Sequence, residues 1–325
     1  MILTDTLKEQ FQLYMSTKLL KYAIDILQLV QFAETQELPK KGGAKRMRFF
    51  RPMIADTSNI VALAEGVPIN TFGTYKYDTV DFDLVQYGEA ARLSDIVQAT
   101  ELWDNSKNLV RKFGEDAALW ADTLVRDSIV QPTTGLQARY TGGATTYSAL
   151  SALSASAGAL TPFDLLDAIT QLRTNKAPTI NGGYVAVAAP EGIRDIQTNT
   201  SMWLPAKQYS DVKDLYKGET GSIYGIRVTW GTNPMRETSG GTAGVFDANG
   251  AVLSTIVTGM GSYACPRLSG NKPESPTVMV VDKADSLNPL AQFITIGWKI
   301  FFTAGVLNSK FGLVLRHKSP FVAAS

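Results

Sequence analysis

"ELWDNSKNLVRKFGEDAALWADTLVRDSIV", residues 101–130, is the strongest helical pattern in the sequence. Apolar residues recur along it at helical spacing and form one stripe: Val110, Phe113, Ala117, Trp120, Leu124 and Ile129. Most charged residues lie away from that stripe: Lys107, Arg111, Asp116, Asp122, Arg126 and Asp127. About thirty residues correspond to roughly 45 Å of helix. The stretch therefore predicts one long helix that serves as the spine of the fold.

Two extended segments precede this helix. Residues 47–54 form the first, and the second begins near Tyr75. In the second, the apolar residues Val80, Phe82 and Leu84 alternate with Asp81 and Asp83, which is the period of a strand with one apolar face. A tip of about twenty residues joins the segments, and loops that long are uncommon inside a compact domain. We predict an extended hairpin whose tip acts outside the core of its own subunit.

The stretch with the most one-sided charge, "PKKGGAKRMRFFRP" at residues 39–52, lies before and within the first of these strands. This run has six positive charges and no acid: Lys40, Lys41, Lys45, Arg46, Arg48 and Arg51. Nucleic acid is one possible partner. The returning strand, however, carries Asp78, Asp81 and Asp83, and opposite charges across a strand pair attract. We predict that the three arginines face carboxylates of the same or a neighbouring subunit, and that the three lysines are the better candidates for diffuse contact with nucleic acid.

The N-terminal part has the pattern of an amphipathic arm. Apolar residues over 5–33 follow helical spacing, Leu38-Pro39 ends the pattern, and Gly42-Gly43 provides a flexible joint. An exposed amphipathic helix at the end of a chain needs a partner for its apolar face. We therefore expect the arm to pack against another part of the assembly.

The remainder predicts an α+β fold. Residues 135–160 are rich in Gly, Ser, Thr and Ala, are predicted as strand and loop, and mark a boundary. Thr161-Pro162 then opens a helix. Strands are predicted at 182–190, 222–230 and 251–260, so that residues 151–275 form a central sheet flanked by helices. The chain ends in strands at 277–282, 294–306 and 311–317, and the middle one alternates strictly between apolar and other residues.

The sequence shows no recognisable enzyme site. The chain of 325 residues has 31 basic and 30 acidic residues, one histidine and one cysteine. His317 is predicted to be a strand-edge or interface residue and Cys265 a buried thiol. No phosphate loop, nucleophile elbow or metal-ligand cluster is recognised, although Asp81 and Asp83 share a face that could bind a hard cation. We expect no catalytic activity, no cofactor, no metal, no secretion signal and no membrane span.

The order of these elements resembles the HK97-like fold of tailed-bacteriophage major capsid proteins. Four segments carry a closer resemblance to the capsid family of N4-like podophages: "LAEGVP" (63–68), "VQYGEAARLSDI" (85–96), "FGEDAALWADTLVRDSI" (113–129) and "PLAQFITIGWKIFFTAGVLN" (289–308). The resemblance covers nearly the whole chain. It rests on the order and spacing of segments whose sequences are set by packing, and it brings no catalytic residues.

The resemblance implies a division of the chain in the terms of that family. The N-arm would span 1–45, the E-loop hairpin 46–95, the P-domain 96–150 with 276–325, and the A-domain 151–275. It also implies that the chain self-assembles as hexamers and pentamers into an icosahedral virion head around packaged double-stranded DNA, within the bacterial host cytoplasm. Portal protein, and possible scaffolding or decoration proteins, would be further partners. The E-loop lysine that crosslinks the founding member has no counterpart between Arg46 and Tyr75, so crosslinking from the tip is not expected.

Two other classes of protein remain as alternatives at this point. A different structural virion protein, such as a tail-tube or decoration protein, should show repeated hairpins without a spine helix. A soluble enzyme with an unrecognised site would need polar groups clustered in a pocket, and a chain with one histidine and one cysteine offers few candidates.

Overall fold

The structure is a computed structural model. It describes residues 27–39, 45–52, 60, 62–63, 65–66, 68, 77–96, 105–198, 203–205, 216, 219–231, 233, 236–237, 251–269, 277–281, 289–290 and 292–323. The side chains of residues 52, 105–108, 110, 204–205 and 322–323 are outside this description. The predictions for residues 5–26, for Lys40 and Lys41, for the side chain of Val110 and for most of the hairpin tip therefore lie outside the described residues.

The described helices are α1 (Asn105–Val130), α2 (Tyr147–Ala152), α3 (Pro162–Thr174), α4 (Pro190–Thr198) and α5 (Pro320–Ala323), with 3-10 turns at Val30–Phe32 and Ser309–Phe311. Helix α1 is the predicted spine helix. The side chain of Thr161 caps α3 and forms a reciprocal capping box with Asp164, as the Thr-Pro start of this helix predicts. Within the described part of the chain, no helix is long and apolar enough to span a membrane.

The strands fall into two large and two small sheets. In chain order they are β1 (Glu37–Leu38), β2 (Arg46–Pro52), β3 (Tyr77–Asp83), β4 (Val85–Ser94), β5 (Gln137–Tyr140), β6 (Tyr184–Ala188), β7 (Leu204–Pro205), β8 (Glu219–Ile223), β9 (Ile226–Trp230), β10 (Arg236–Glu237), β11 (Val252–Thr258), β12 (Tyr263–Ala264), β13 (Arg267–Leu268), β14 (Thr277–Val281), β15 (Phe293–Phe302), β16 (Gly305–Val306) and β17 (Gly312–His317). The small sheets pair β2 with β3 and β12 with β16.

The larger sheet has eight strands, in the order β5-β17-β11-β6-β9-β8-β7, with β10 also paired to β11. Every residue of β6, β11 and β17 is buried, because both faces of the sheet are covered. Helices α3 and α4 cover one face with Leu165, Ile169, Ile193 and Ile196. This sheet joins strands from both sides of the expected boundaries at residues 150 and 275.

The second large sheet is built around β15, which pairs with β4 along its whole length and with β14 and β13 on its other edge. The alternation predicted for this strand is present: Ile296, Trp298, Ile300 and Phe302 are buried and the residues between them are not. The buried side chains point to one face of the sheet, and that face meets the spine helix.

The spine helix is the centre of the largest apolar cluster. Its Phe113, Ala117 and Val125 are buried together with side chains from both large sheets, including Val187 of β6 and Ile300 of β15. Trp120 and Leu124 are partly buried against the same cluster, and the Trp120 ring lies 4.3 Å from that of Tyr87, centroid to centroid. The order of layers is thus α3 and α4, the eight-stranded sheet, the spine helix and the five-stranded sheet.

Residues 27–38, called the arm root below, differ from their prediction. The helix predicted to continue to residue 33 is reduced here to one 3-10 turn. The backbone amides of Gln28 and Leu29 donate to the Asp122 carboxylate instead of continuing a helix. Leu29 and Phe32 are buried in the cluster around the spine helix, so the arm root is part of the core of its own subunit.

Two further local predictions were wrong. The segment 222–230 is a hairpin rather than one strand, because Tyr224 and Gly225 adopt positive φ (51° and 86°) and turn the chain between β8 and β9. The stretch 147–152, predicted as strand and loop, is helix α2, whose first turn is capped by the side chain of Thr146.

His317 is not at the edge of a sheet, contrary to prediction. It lies on β17 between β5 and β11 and is fully buried, with its Nε2 2.9 Å from Thr255 Oγ1. Burial lowers the pKa of His317 to about 4, so the ring is neutral at pH 7. Cys265 is a buried free thiol, as predicted.

Candidate functional site

The base of the hairpin, formed by β2 and β3, carries six of the predicted site residues. The strands run antiparallel, and their register places three arginines directly opposite three aspartates: Arg46 opposite Asp83, Arg48 opposite Asp81, and Arg51 opposite Asp78. The register is consistent with the apolar pattern, since Met47 and Phe49 lie opposite Phe82 and Val80.

Two of these pairs lie on the outer face of the hairpin. Arg46 donates through Nε and Nη2 to the two oxygens of Asp83, at 2.8 and 2.9 Å. Arg48 does the same to Asp81, at 2.7 and 2.8 Å. Both pairs are bidentate, a geometry that fixes orientation as well as separation. The hydrogen bond from Arg48 lowers the pKa of Asp81, and that from Arg46 lowers the pKa of Asp83.

Arg51 belongs to the opposite face, which the sequence analysis did not distinguish. It lies an odd number of residues from Arg46 and Arg48, so its side chain points inward. Its Nη2 pairs with Asp78, and its Nη1 donates to the backbone oxygen of Leu307 at 2.8 Å. Arg51 therefore ties the hairpin to the body, whereas Arg46 and Arg48 connect only its two strands.

The inner face attaches the hairpin through apolar contacts. Met47, Phe49, Phe82 and Leu84 are buried with residues of the body: Leu38, Ala264, Leu268 and Leu307. The rings of Phe49 and Phe82 meet edge to face at 5.5 Å. The Phe82 ring also lies so close to Gly305 that a Cβ there would be 2.4 Å from it.

The outer face becomes apolar toward the tip. Beyond the two charge pairs, Phe50 and Tyr77 are each 67% exposed. Both lie on the same face as Arg46 and Arg48, by strand parity and by the register that sets Phe50 opposite Thr79. Contiguous exposed apolar surface of this kind is often a site of contact with another protein. We call this outer surface, from Arg46–Asp83 to Phe50 and Tyr77, the hairpin face.

The carboxylates of the hairpin face are already occupied by arginines. Asp81 and Asp83, considered above as possible cation ligands, each receive an arginine fork, and the described residues contain no cluster of three metal-ligating side chains. Lys45 is exposed beside the first pair, close enough to contribute to the lowered pKa of Asp83. Lys45 thus stands next to an ion pair, while Lys40 and Lys41 lie outside the described residues.

Sequence reasoning missed a set of buried polar residues behind the hairpin. Asp122 was placed away from the apolar stripe of the spine helix, yet it is almost fully buried and accepts the amides of Gln28 and Leu29 at 3.1 and 2.8 Å. Tyr263 donates from its hydroxyl to the Leu29 carbonyl at 2.6 Å. The only sign of this burial in the sequence is that the acidic Asp122 lies between the apolar residues Ala121 and Leu124. This position does not indicate which groups Asp122 contacts.

A second missed group is an ion pair inside the eight-stranded sheet. Arg316 of β17 donates through Nε to Glu237 at 2.9 Å and through Nη2 to the Val130 carbonyl at 2.9 Å, and both charged residues are fully buried. Ser254 donates to the same carboxylate at 2.6 Å. This pair connects the end of the spine helix to the sheet.

Comparisons with known proteins bear on the whole arrangement. A sequence profile of the family described as "Phage capsid protein" matches residues 76–315. A search of curated proteins finds no match.

Solved structures with the same fold are numerous. The capsid of Ralstonia phage GP4 superposes with a TM-score of 0.67 at 13% identity, covering 89% of this chain and 87% of that one. The capsid of cyanophage P-SCSP1u gives 0.60 at 14% identity, covering 87% and 86%. The SrpI encapsulin complex from Synechococcus elongatus gives 0.55 at 11% identity, covering 90% and 87%. At identities this low, the likeness shows the fold alone.

Proposed function

The chain belongs to the phage capsid protein family, as a major capsid protein with the HK97-like fold, and we propose that it assembles as hexamers and pentamers into an icosahedral head enclosing packaged double-stranded DNA. The observation that carries the proposal is the family match over residues 76–315, from the second strand of the hairpin to the last strand of the eight-stranded sheet. The subunit is a structural protein that associates with copies of itself. We also assign it to the capsids of N4-like podophages, on the four segments quoted above.

The hairpin face supports a role in contacts between subunits. Its arginines are already paired within the chain, so they add specificity and orientation more than new attraction. Phe50 and Tyr77 remain for a partner to cover. A contact of this kind joins different surfaces of two copies, and heterologous contacts whose rotation closes produce rings such as capsomers. The buried area must offset the entropy lost on association.

Contact with packaged DNA is proposed for the lysines rather than the arginines. Arg46, Arg48 and Arg51 each share their charge with an aspartate. Lys40, Lys41 and Lys45 precede them, and diffuse phosphate contacts need only unshared positive charge. Portal protein, with possible scaffolding or decoration proteins, completes the set of proposed partners, and the virion is the proposed location after assembly in the bacterial host cytoplasm.

The test is to purify the full chain and examine it by size-exclusion chromatography and negative-stain microscopy. We expect capsomers or closed shells. A compact monomer at all concentrations would overturn the proposal. Shells isolated from infected cells that contain protein but never DNA would instead show that the chain forms a protein-filled compartment and not a DNA-filled head.

A truncation tests the N-terminal arm. Removal of residues 1–35, which covers the whole helical pattern of residues 5–33, would also delete Leu29 and Phe32 from the core. Removal of residues 1–26 leaves the buried arm root in place. We expect this shorter truncation to give a folded subunit that does not form closed shells, and normal particles would exclude a role for the arm in closure.

A further inference from the structure

The arm root is held at one residue, Leu29, through both its backbone amide and its backbone carbonyl. The amide of Leu29 donates to Asp122 Oδ1 at 2.8 Å, and the carbonyl of Leu29 accepts from the Tyr263 hydroxyl at 2.6 Å. The amide of Gln28 donates to the same Asp122 oxygen at 3.1 Å. Leu29 itself is fully buried. Two side chains of the body therefore fix the backbone where the described chain begins.

On the other side of this point, the arm root is bonded to the body as a strand. Glu34 donates its amide to the Tyr263 carbonyl at 3.0 Å, and the amides of Cys265, Arg267 and Ser269 donate to the arm root at 2.9, 3.1 and 2.8 Å. The hydrogen bonds of Asp122 and Tyr263 to Leu29 lie at the N-terminal end of this ladder. They are thus the last described ties before the chain passes into residues 1–26.

The surroundings make this tie specific. The side-chain amide of Asn233 donates to Asp122 Oδ2 at 3.5 Å and to Thr123 Oγ1 at 3.1 Å. Its oxygen accepts a hydrogen bond from Arg126 at 3.0 Å. Among the described residues, three titratable groups interact with the Asp122 carboxylate. Arg126 lies on the same helix, Tyr263 lies on β12, and Cys265 directly follows β12. Residues 27–32 contain no titratable side chain. Burial of Asp122 raises its pKa to about 6 against the opposing hydrogen bonds.

We propose that Asp122 and Tyr263 form a latch that holds the root of the N-terminal arm on the spine helix, and that shell closure requires this latch. Asp122 lies within α1 and not at its end, so the latch joins the arm root to the interior of the spine helix. The second half of the statement rests on the proposed capsid function. The first half concerns the single subunit and stands independently.

The latch is tested by hydrogen exchange, followed by mass spectrometry, of peptides covering residues 27–32 in the unassembled full chain. Asp122→Ala removes the acceptor of two amides, and we expect exchange of those amides to accelerate about tenfold or more. Tyr263→Phe removes only the hydroxyl, and we expect a smaller acceleration in the same peptides. Asp116→Ala, on the same helix, is the matched control and should leave these peptides unchanged.

The outcomes separate the latch from the capsid function. Unchanged protection of residues 27–32 in folded Asp122→Ala would overturn the latch. If Asp122→Ala does not fold, unchanged protection in Tyr263→Phe has the same consequence. Accelerated exchange together with normal shells from the variant would retain the latch and refute its need in closure. Failure of the wild-type chain to form either capsomers or shells would refute the capsid function and leave the exchange result valid.

Discussion

The hairpin and the arm root are both segments from which the chain extends beyond its body, and they are attached in opposite ways. The hairpin is held by an apolar inner face and Arg51, and displays its other charged pairs to solvent. The arm root instead buries its apolar side chains and has its backbone held by buried polar groups. Aromatic rings thus lie exposed on the hairpin face, at Phe50 and Tyr77, and buried at the arm root, at Phe32 and the contacting Tyr263.

This difference determines what each segment can contribute. Exposed ion pairs add little to stability, since solvent screens them and ordering two long side chains costs entropy. Buried polar groups cost much when one partner is lost, because the other remains without water. Substitutions in the arm root should therefore affect the folding of a single subunit. Substitutions on the hairpin face should affect the association of subunits with one another. Four variants, in decreasing order of effect on the free energy of unfolding, test this division.

Leu29→Ala should have the largest effect. Leu29 is fully buried beside the spine helix, so the substitution leaves a cavity and should lower the free energy of unfolding by about 2–5 kcal/mol. Thermal or urea unfolding of the subunit measures this. Leu119→Ala, at a position 41% exposed on the spine helix, is the matched control and should cost about 0.5 kcal/mol or less. Equal losses for the two variants would mean that the arm root is not part of the core.

Asp122→Asn should change how stability depends on pH. The pKa of Asp122 rises from 3.8 to about 6 on folding, so the folded state holds the proton more tightly. This contribution to stability is present below pH 4 and is lost as pH rises through 6, a difference of about 3 kcal/mol. The variant should lack it.

The comparison must be made between variant and wild type, because His317 acts in the opposite direction. Its pKa falls from 6.5 to about 4 on folding, so its contribution is present above 6.5 and is lost as pH falls toward 4. Urea unfolding of both proteins at pH 4, 5, 6 and 7 gives the difference. A constant difference across that range would show that Asp122 does not titrate there.

Replacement of both Phe50 and Tyr77 by serine should hardly alter the subunit. Each ring is 67% exposed, and the expected change in the free energy of unfolding is within about 0.5 kcal/mol. Shell yield, measured by sedimentation, should instead fall strongly. Full shell yield from a stable double variant would remove the hairpin face from the contact between subunits.

Arg48→Asp should have the smallest effect on the fold, because the pair with Asp81 is open to solvent. We expect reduced assembly through repulsion across the strands, and recovery in the double reversal with Asp81→Arg. The register shows that Asp81, not Asp83, is the matching site, and that the partner of Arg51 is Asp78. Recovery with Asp83→Arg but not with Asp81→Arg would contradict this register. Particles that form normally but package less DNA would point to a nucleic-acid role for the arginine.

Much of the fold could be predicted from local patterns. The spine helix, the capped start of α3 and the alternation in β15 are repeated over many residues, so each is visible without knowledge of its partners. The hairpin strands are visible for the same reason. The division of the arginines between two faces could also have been predicted, since Arg51 differs in parity from Arg46 and Arg48.

What could not be predicted depends on contacts between distant residues. Asp122 and Leu29 are 93 positions apart, and nothing in either segment specifies the hydrogen bond between them. The sequence around His317 has the pattern of the end of a strand. Its burial follows from the strands β5 and β11 that flank β17, and neither is visible from the local sequence. The turn at Tyr224 and Gly225 was missed because apolar residues continue on both sides of it.

The central claim is that the hairpin face serves a neighbouring subunit while the arm root serves its own. A cryo-electron microscopy reconstruction of particles formed by the full chain tests it most directly. We predict a shell of hexamers and pentamers in which side chains of an adjacent copy cover Phe50 and Tyr77, and in which Leu29 remains buried beside Asp122 of the same copy. A shell in which Phe50 and Tyr77 face solvent in every copy, or in which residues 27–32 pack on a different subunit, would contradict the account.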